Sequence, residues 1–172
     1  TRHLEDIISG DEGDDVVLSD YGTITWIVNS DRVGVPVRVE SVDTAWGGDD
    51  TIQGNDDSDL IIGGAGNDDI DGGTDSRVGD EPNDSEDAIF GDSGVITLFD
   101  HIADGYLPTT NYGLRLASMF SITPAIGGID TISGGDDDDV IIGGAAGDVI
   151  WGDDNDDVII GDNGAVDFER SV

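Results

Sequence analysis

Gly63-Gly64-Ala65-Gly66-Asn67-Asp68-Asp69-Ile70-Asp71 is the stretch that decides the fold of this chain. Glycine stands at its first, second and fourth places, aspartate at the sixth and an aliphatic at the eighth. The unit recurs on both sides. Asp50, Asp59 and Asp68 are nine residues apart, as are Asp6 and Asp15, and so are Asp130, Asp139, Asp148 and Asp157. An aliphatic follows each two residues later: Ile8 and Val17; Ile52, Ile61 and Ile70; Ile132, Ile141, Ile150 and Ile159. Asp87 and Ile89 resume the phase beyond an insertion of about ten residues, 74–83. About a dozen units in register make this a repeat protein.

Each place in the unit has a physical reason. The first six residues turn and the last three form a short strand. Glycine at the first, second and fourth places permits φ > 0 and lets carbonyls converge. The sixth place supplies a carboxylate. The eighth-place aliphatic points inward and fills a narrow core.

Composition sets the outer limits. The 172 residues include 40 acidic against six basic, all arginine, for a net charge of −34. Such a chain repels phosphates, which excludes nucleic acid and argues against an anionic membrane surface. By composition alone it would read as disordered. The 27 glycines and the periodic aliphatics oppose that reading. A compact fold must neutralise its carboxylates, and six arginines are too few, so divalent cations are the expected counter-charge. Cysteine is absent, so disulfides and thiolate metal sites are ruled out. Calcium, a hard cation that takes oxygen ligands, needs no cysteine. No apolar run is long enough to span a bilayer, and nothing reads as a signal peptide. A first residue of Thr1 suggests a piece of something larger.

The nonapeptides resemble the hemolysin-type calcium-binding repeats of the RTX family over roughly two-thirds of the chain. The resemblance implies an all-β fold: a right-handed parallel β-roll (a β-solenoid) with bound calcium, here carrying inserted β-hairpins. It implies that two nonapeptides make one coil and that Ca²⁺ lies between turns 18 residues apart, held by aspartate and backbone carbonyls. Carried over, the metal ligands are Asp6, Asp15, Asp50, Asp59, Asp68, Asp87, Asp130, Asp139, Asp148 and Asp157. Asp50 pairs with Asp68, Asp130 with Asp148, Asp139 with Asp157, and Asp59 with Asp87 across the insertion. About seven ions would be held in all. Several turns depart from the pattern, with Asn55, Asp57, Asp137, Ala146, Asp153 and Asn155 at glycine places. Asn and Asp tolerate left-handed backbone, so these turns can survive. The extra carboxylates are either further ligands or solvated surface charge.

A larger repeat overlies the small one. Residues 41–52 match residues 121–132 at an offset of 80. Blocks end alike, at Gly91-Asp92-Ser93-Gly94, Gly161-Asp162-Asn163-Gly164 and, more loosely, Ser19-Asp20-Tyr21-Gly22. The organisation read from this is a partial block with hairpin (1–40), a second block with hairpin (41–120) and a third block (121–172). After each terminator comes an alternating, strand-like segment. Thr23 to Val28 returns as Val35 to Val42, Val95 to Ile102 returns as Leu114 to Ile122, and the third runs Ala165 to Val172. Arg170-Ser171-Val172 followed by Thr1 to Gly10 reads like Glu40-Ser41-Val42 followed by Asp43 to Gly54, which suggests one period of a tandem array or a subunit joining head-to-tail.

The strand triplets fall into two sets. Thr51-Ile52-Gln53, Asp69-Ile70-Asp71 and Thr131-Ile132-Ser133 suit a sheet with a wet outer face. Val16-Val17-Leu18, Leu60-Ile61-Ile62, Ala88-Ile89-Phe90, Val140-Ile141-Ile142 and Val158-Ile159-Ile160 are apolar throughout, as strands buried on both faces are. The second sheet should therefore be covered, by the hairpins in preference to a neighbouring chain, with Ile62, Phe90, Ile142 and Ile160 at the contact.

Other signals are weaker. Ser93 fills a structural turn whose equivalents hold Asn163 and Tyr21, so it is not read as a nucleophile. His3 and His101 are read as surface or packed residues. Asn83-Asp84-Ser85 is a glycosylation sequon without supporting context. The apolar stretch 103–126 (Tyr106, Leu107, Tyr112, Leu114, Leu116, Met119, Phe120) is read as a packed hairpin. No enzyme activity is expected. The expected function is a calcium-dependent structural repeat of an extracellular or cell-surface bacterial protein, an adhesin or fibre, that folds on binding calcium. The alternative is the calcium-binding C-terminal region of a secreted toxin or hydrolase. Expected partners are calcium and neighbouring repeats or head-to-tail copies, with no nucleic acid and no membrane insertion.

Overall fold

The computed structural model describes residues 4–28, 34–74, 86–99 and 116–168. Its strands run in chain order β1 (Ile7–Glu12), β2 (Val16–Leu18), β3 (Gly22–Val28), β4 (Gly34–Ser41), β5 (Thr51–Asp56), β6 (Leu60–Ile62), β7 (Asp69–Gly73), β8 (Ala88–Phe90), β9 (Gly94–Leu98), β10 (Leu116–Ser121), β11 (Thr131–Gly135), β12 (Val140–Gly144), β13 (Val149–Asp153), β14 (Val158–Asp162) and β15 (Ala165–Asp167). They form three five-stranded sheets. Among the described residues there is no helix, hence none long and apolar enough to cross a membrane.

Alternate nonapeptides go to opposite sheets because six residues suffice to turn the chain and three to cross. Sheet A is parallel, in the order β1-β5-β7-β11-β13, and sheet B is parallel, in the order β2-β6-β8-β12-β14. One strand of each makes a rung of the stack. Register keeps the eighth-place aliphatics in two columns: Ile8, Ile52, Ile70, Ile132, Ile150 in sheet A and Val17, Ile61, Ile89, Ile141, Ile159 in sheet B. These columns meet as one core, with Val17, Ile52, Ile61, Ile70, Ile89, Ile132 and Ile141 buried. A fully buried aliphatic of this size contributes about 1.5–3 kcal/mol. Thr51, Gln53, Asp69, Asp71 and Thr131 of sheet A are exposed, so its outer face is wet as the triplets predict.

Sheet C covers the other side. It is antiparallel, in the order β3-β4-β9-β10-β15. Val39, Ile96, Leu98 and Met119 from it pack with Leu60, Ile62, Ala88, Phe90 and Ile142 of sheet B. Ile62, Phe90 and Ile142 are buried and Ile160 partly so, so the inner apolar triplets are covered from within the chain, while Val158 and Ile159 of the end strand β14 are exposed. The sequence suggests separate hairpins. In the structure β4 pairs with β9, and the hairpins fuse into one continuous sheet. The second hairpin is also shorter in its described part than the alternating pattern, at Gly94–Leu98 and Leu116–Ser121. The 74–83 insertion from its second residue on, His3, His101, Asn83, Tyr106, Leu107, Tyr112 and Leu114 lie outside the described residues.

Candidate calcium sites

Stacking the rungs aligns the sixth-place aspartates in two ladders, one along each edge of the paired sheets. Asp6, Asp50, Asp68, Asp130 and Asp148 form one. In it each backbone N–H donates to Oδ1 of the next aspartate, at 2.8, 2.9, 2.9 and 3.0 Å in turn. Asp15, Asp59, Asp87, Asp139 and Asp157 form the other in the same way, at 2.8, 2.7, 2.8 and 3.1 Å. All ten sequence-derived residues therefore fall on two lines. The four pairs read from spacing are present. Four more, Asp6 with Asp50, Asp15 with Asp59, Asp68 with Asp130 and Asp87 with Asp139, are joined across the hairpins, where no fixed spacing survives.

The second carboxylate oxygen is the chemically informative one. Oδ2 of Asp15, Asp50, Asp59, Asp68, Asp130, Asp139 and Asp148 is buried and has no hydrogen-bond partner. In all of these but Asp50 it faces a cradle above the first-place glycine. A Cβ built on Gly10 would fall 2.6 Å from Oδ2 of Asp15 and 2.7 Å from the Gly54 carbonyl oxygen. One on Gly143 would fall 2.5 Å from Oδ2 of Asp148 and 2.5 Å from the Gly161 oxygen. Gly54, Gly63, Gly72, Gly91 and Gly134 repeat the arrangement, each between its own aspartate and the carbonyl of the next rung. Glycine at the first place thus leaves a volume bounded by anionic and carbonyl oxygens.

Left-handed backbone turns those carbonyls inward. Second-place Gly64 (φ 109), Gly73 (138), Gly135 (116) and Gly144 (121) adopt it. The substituted turns keep it: Asn55 at 83, Asp57 at 77, Asp137 at 71, Ala146 at 73, Asp153 at 75 and Asn155 at 74. Asp11 (φ 74) and Gly13 (φ 104) show that the first complete turn of the second ladder follows the same rule.

Burial sets the electrostatics. It raises the carboxyls of Asp59 and Asp130 to about 7 and of Asp68 and Asp139 to about 8. Asp87 is pushed well above the ordinary value, and Asp15 and Asp148 are raised. Desolvation is the first cause in each, and for all but Asp15 a donated backbone N–H partly opposes it; repulsion is added by ladder neighbours at Asp59, Asp68, Asp87, Asp130 and Asp139, by Asp11 at Asp15 and by Asp162 at Asp148. A buried, acceptor-only oxygen beside carbonyls must take up a proton or a cation. Among the described residues no three carboxylates converge on one point; the donor set is carboxylate plus carbonyl oxygen. Such a hard, all-oxygen set with adjustable geometry fits calcium, and the aspartates of the two ladders would hold it.

Two further aspartates escape a reading by spacing. Asp92 is buried and accepts from the backbone N–H groups of Gly128, at 2.9 Å, and of Ala145. Asp20 accepts from Ala65 N–H at 2.7 Å and from Gly48 N–H. Both sit where a hairpin leaves the stack and clasp the returning segment to the next rung. Their signal was the shared block terminator, which marks a turn without showing what its aspartate holds. Ser93 of that terminator is buried.

A model of the RTX calcium-binding nonapeptide repeat matches residues 5–22, 47–77 and 133–165, with four copies. No curated protein and no solved structure matches the chain. Asp87 and Asp130 fall outside the matched stretches, and the ladders place them in line with the rest. The chain carries RTX calcium-binding nonapeptide repeats of the hemolysin type.

Proposed function

We propose that this chain is a calcium-folded β-roll serving as a structural repeat of an extracellular bacterial surface protein, an adhesin or fibre. The observation that carries the reading is the pair of ladders with buried, partnerless Oδ2 atoms above glycine cradles. When bound, calcium supplies the positive charge that the oxygens lack. The chain's own residues do the rest. The aspartates link successive rungs through N–H···Oδ1 bonds, the left-handed turns aim carbonyls, and the isoleucine columns exclude water. Without the cation the carboxylates repel and three-residue strands cannot offset the entropy of ordering. Binding energy then becomes folding energy. Extracellular calcium modules bind at about 10⁻⁴ to 10⁻³ M, a range empty in cytosol and filled outside. The fused sheet C favours a mechanical role, because it joins the hairpins into one layer packed on sheet B.

Sedimentation velocity of the 172-residue chain, in millimolar calcium and in excess chelator, tests this. Compaction on adding calcium, reversed by chelator, is the expected result. Coincident profiles would mean that calcium does not hold the fold.

A further inference from the structure

The hairpins do not sit between nonapeptides but inside them. Backbone bonds from Ser19 N–H to Ile62, from Gly63 N–H to Phe90 and from Gly91 N–H to Ile142 place Ser19, Gly63, Gly91 and Gly143 in one first-place row. The Gly143 cradle carries that row on to Gly161. The fourth-place row is Leu4, Gly48, Gly66 and Gly128, each glycine backed by the carbonyl of the residue before it in the row. Ser19-Asp20 therefore begins a turn that Gly47-Gly48-Asp49-Asp50 completes after a hairpin. Gly91-Asp92 begins one that Gly127-Gly128-Ile129-Asp130 completes.

The two rows are out of step by one rung. At one end of the stack, Leu4-Glu5-Asp6 forms the later part of a turn with no first-place residue among the described ones. At the other end, Gly161-Asp162 begins a turn that no described residue completes. Among the described residues, each end holds what the other lacks. Hydrogen-bond polarity agrees. Ladder bonds run from N–H to the Oδ1 of the next rung, so the Asp148 and Asp157 amides have no ladder acceptor among the described residues. Oδ1 of Asp6 and of Asp15 has no ladder donor among the described residues. The core agrees too: Ile159, at an inward place, is 44 % exposed, against 0 % for Ile141 one rung inside. Among the described residues all three sheets are open, at β1, β2 and β3 on one end and at β13, β14 and β15 on the other.

We propose that the β13–β14 end binds the β1–β2 end of a second copy of this chain, and that Leu4-Glu5-Asp6 of one copy completes the turn begun by Gly161-Asp162 of the other. The junction repeats the interior rung-to-rung contact, with Asp148 facing Asp6 and Asp157 facing Asp15. Both faces are acidic, so the junction forms only with calcium. In this it rests on the calcium reading.

Asp162 gives the test. It is exposed, belongs to neither ladder, and stands where Asp20 and Asp92 accept from the Gly48 and Gly128 N–H groups of a returning segment. At the junction the equivalent donor is the Leu4 N–H of the incoming copy, and Asp162→Ala removes its acceptor. In sedimentation velocity with millimolar calcium, the native chain should form chelator-reversible species larger than a monomer. Asp162→Ala should compact with calcium like the native chain yet need about tenfold higher concentration to assemble. Gly143→Val, with an interior cradle filled, should lose the compaction itself. A compact native monomer at all concentrations, or an Asp162→Ala chain that assembles like the native one, overturns the proposal and leaves the calcium reading standing. Loss of compaction by the native chain would overturn the calcium reading first.

Discussion

A single aspartate in either ladder has two oxygens with separate duties. In Asp68, Oδ1 accepts from Asp50 N–H at 2.9 Å while Oδ2 is buried without a partner. Asp68→Asn separates the two. The amide oxygen keeps the ladder bond, and an uncharged NH₂ replaces the oxygen facing the cradle. Its calcium midpoint, followed by titration calorimetry or circular dichroism, should rise about tenfold, or about 1.4 kcal/mol. An unchanged midpoint would remove Asp68 from the ligand set. Ala146 makes the complementary point about the turns. Its φ of 73 is a conformation that costs an L-residue about 1–2 kcal/mol. Glycine returns about 0.5–1 kcal/mol of that through its freer unfolded state. Ala146→Gly should therefore stabilise the calcium-loaded chain by about 0.5 kcal/mol in denaturant unfolding. These residue roles were largely legible in the sequence, because a nine-residue period fixes which residues turn, ligate and pack. Asp11 was not, since a lone aspartate in an acidic run carries no mark of its φ. The clamps Asp20 and Asp92 were not either, because their partners lie tens of residues away.

At the scale of elements, the question is what lets hairpins interrupt a repeat without breaking it. Asp92 accepts two backbone N–H groups, from Gly128 in the returning segment and Ala145 in the next rung. Asp92→Ala leaves both donors without that acceptor, at about 1–3 kcal/mol each if they stay buried. The loss should appear in calcium-loaded unfolding. A neutral outcome would mean that the hairpin exit is held by the sheets alone. The cover depends on Phe90, which is fully buried between sheets B and C and has Gly94 against its ring. Phe90→Ala should cost about 3–5 kcal/mol, measurable as a lowered unfolding midpoint in saturating calcium. The need for a cover could be read from five apolar triplets, and its source from the alternating segments beside them. That the hairpins fuse could not. The β4–β9 pairing joins strands separated by a full block, and pairing between antiparallel edges leaves no mark in either strand's own pattern.

For the whole molecule, acid and calcium act on the same oxygens with opposite consequences. The ordinary carboxyl value is 3.8, and the buried ladder groups sit at about 7 for Asp59 and Asp130 and about 8 for Asp68 and Asp139. Between about pH 4 and pH 8 the calcium-free folded chain thus holds more protons than the unfolded one. Its stability must fall as pH rises through that window. The net charge of −34 at pH 7 adds repulsion in the same direction. Calcium must displace those protons, so its apparent affinity must rise with pH over the same range. In chelator, then, the chain should be more compact at pH 4.5 than at pH 7.5. In calcium, acidifying from pH 7.5 to pH 5 should raise the calcium midpoint. Calorimetry in two buffers of different ionisation enthalpy should show proton release on binding near pH 7. A calcium midpoint that does not move with pH would mean that the buried oxygens are not the ones calcium meets. The same linkage bears on the head-to-tail junction. Asp148, at the open end of its ladder, is also raised by burial, so mild acid should displace calcium from the junction and separate chain copies while protonation of the ladders keeps each copy compact.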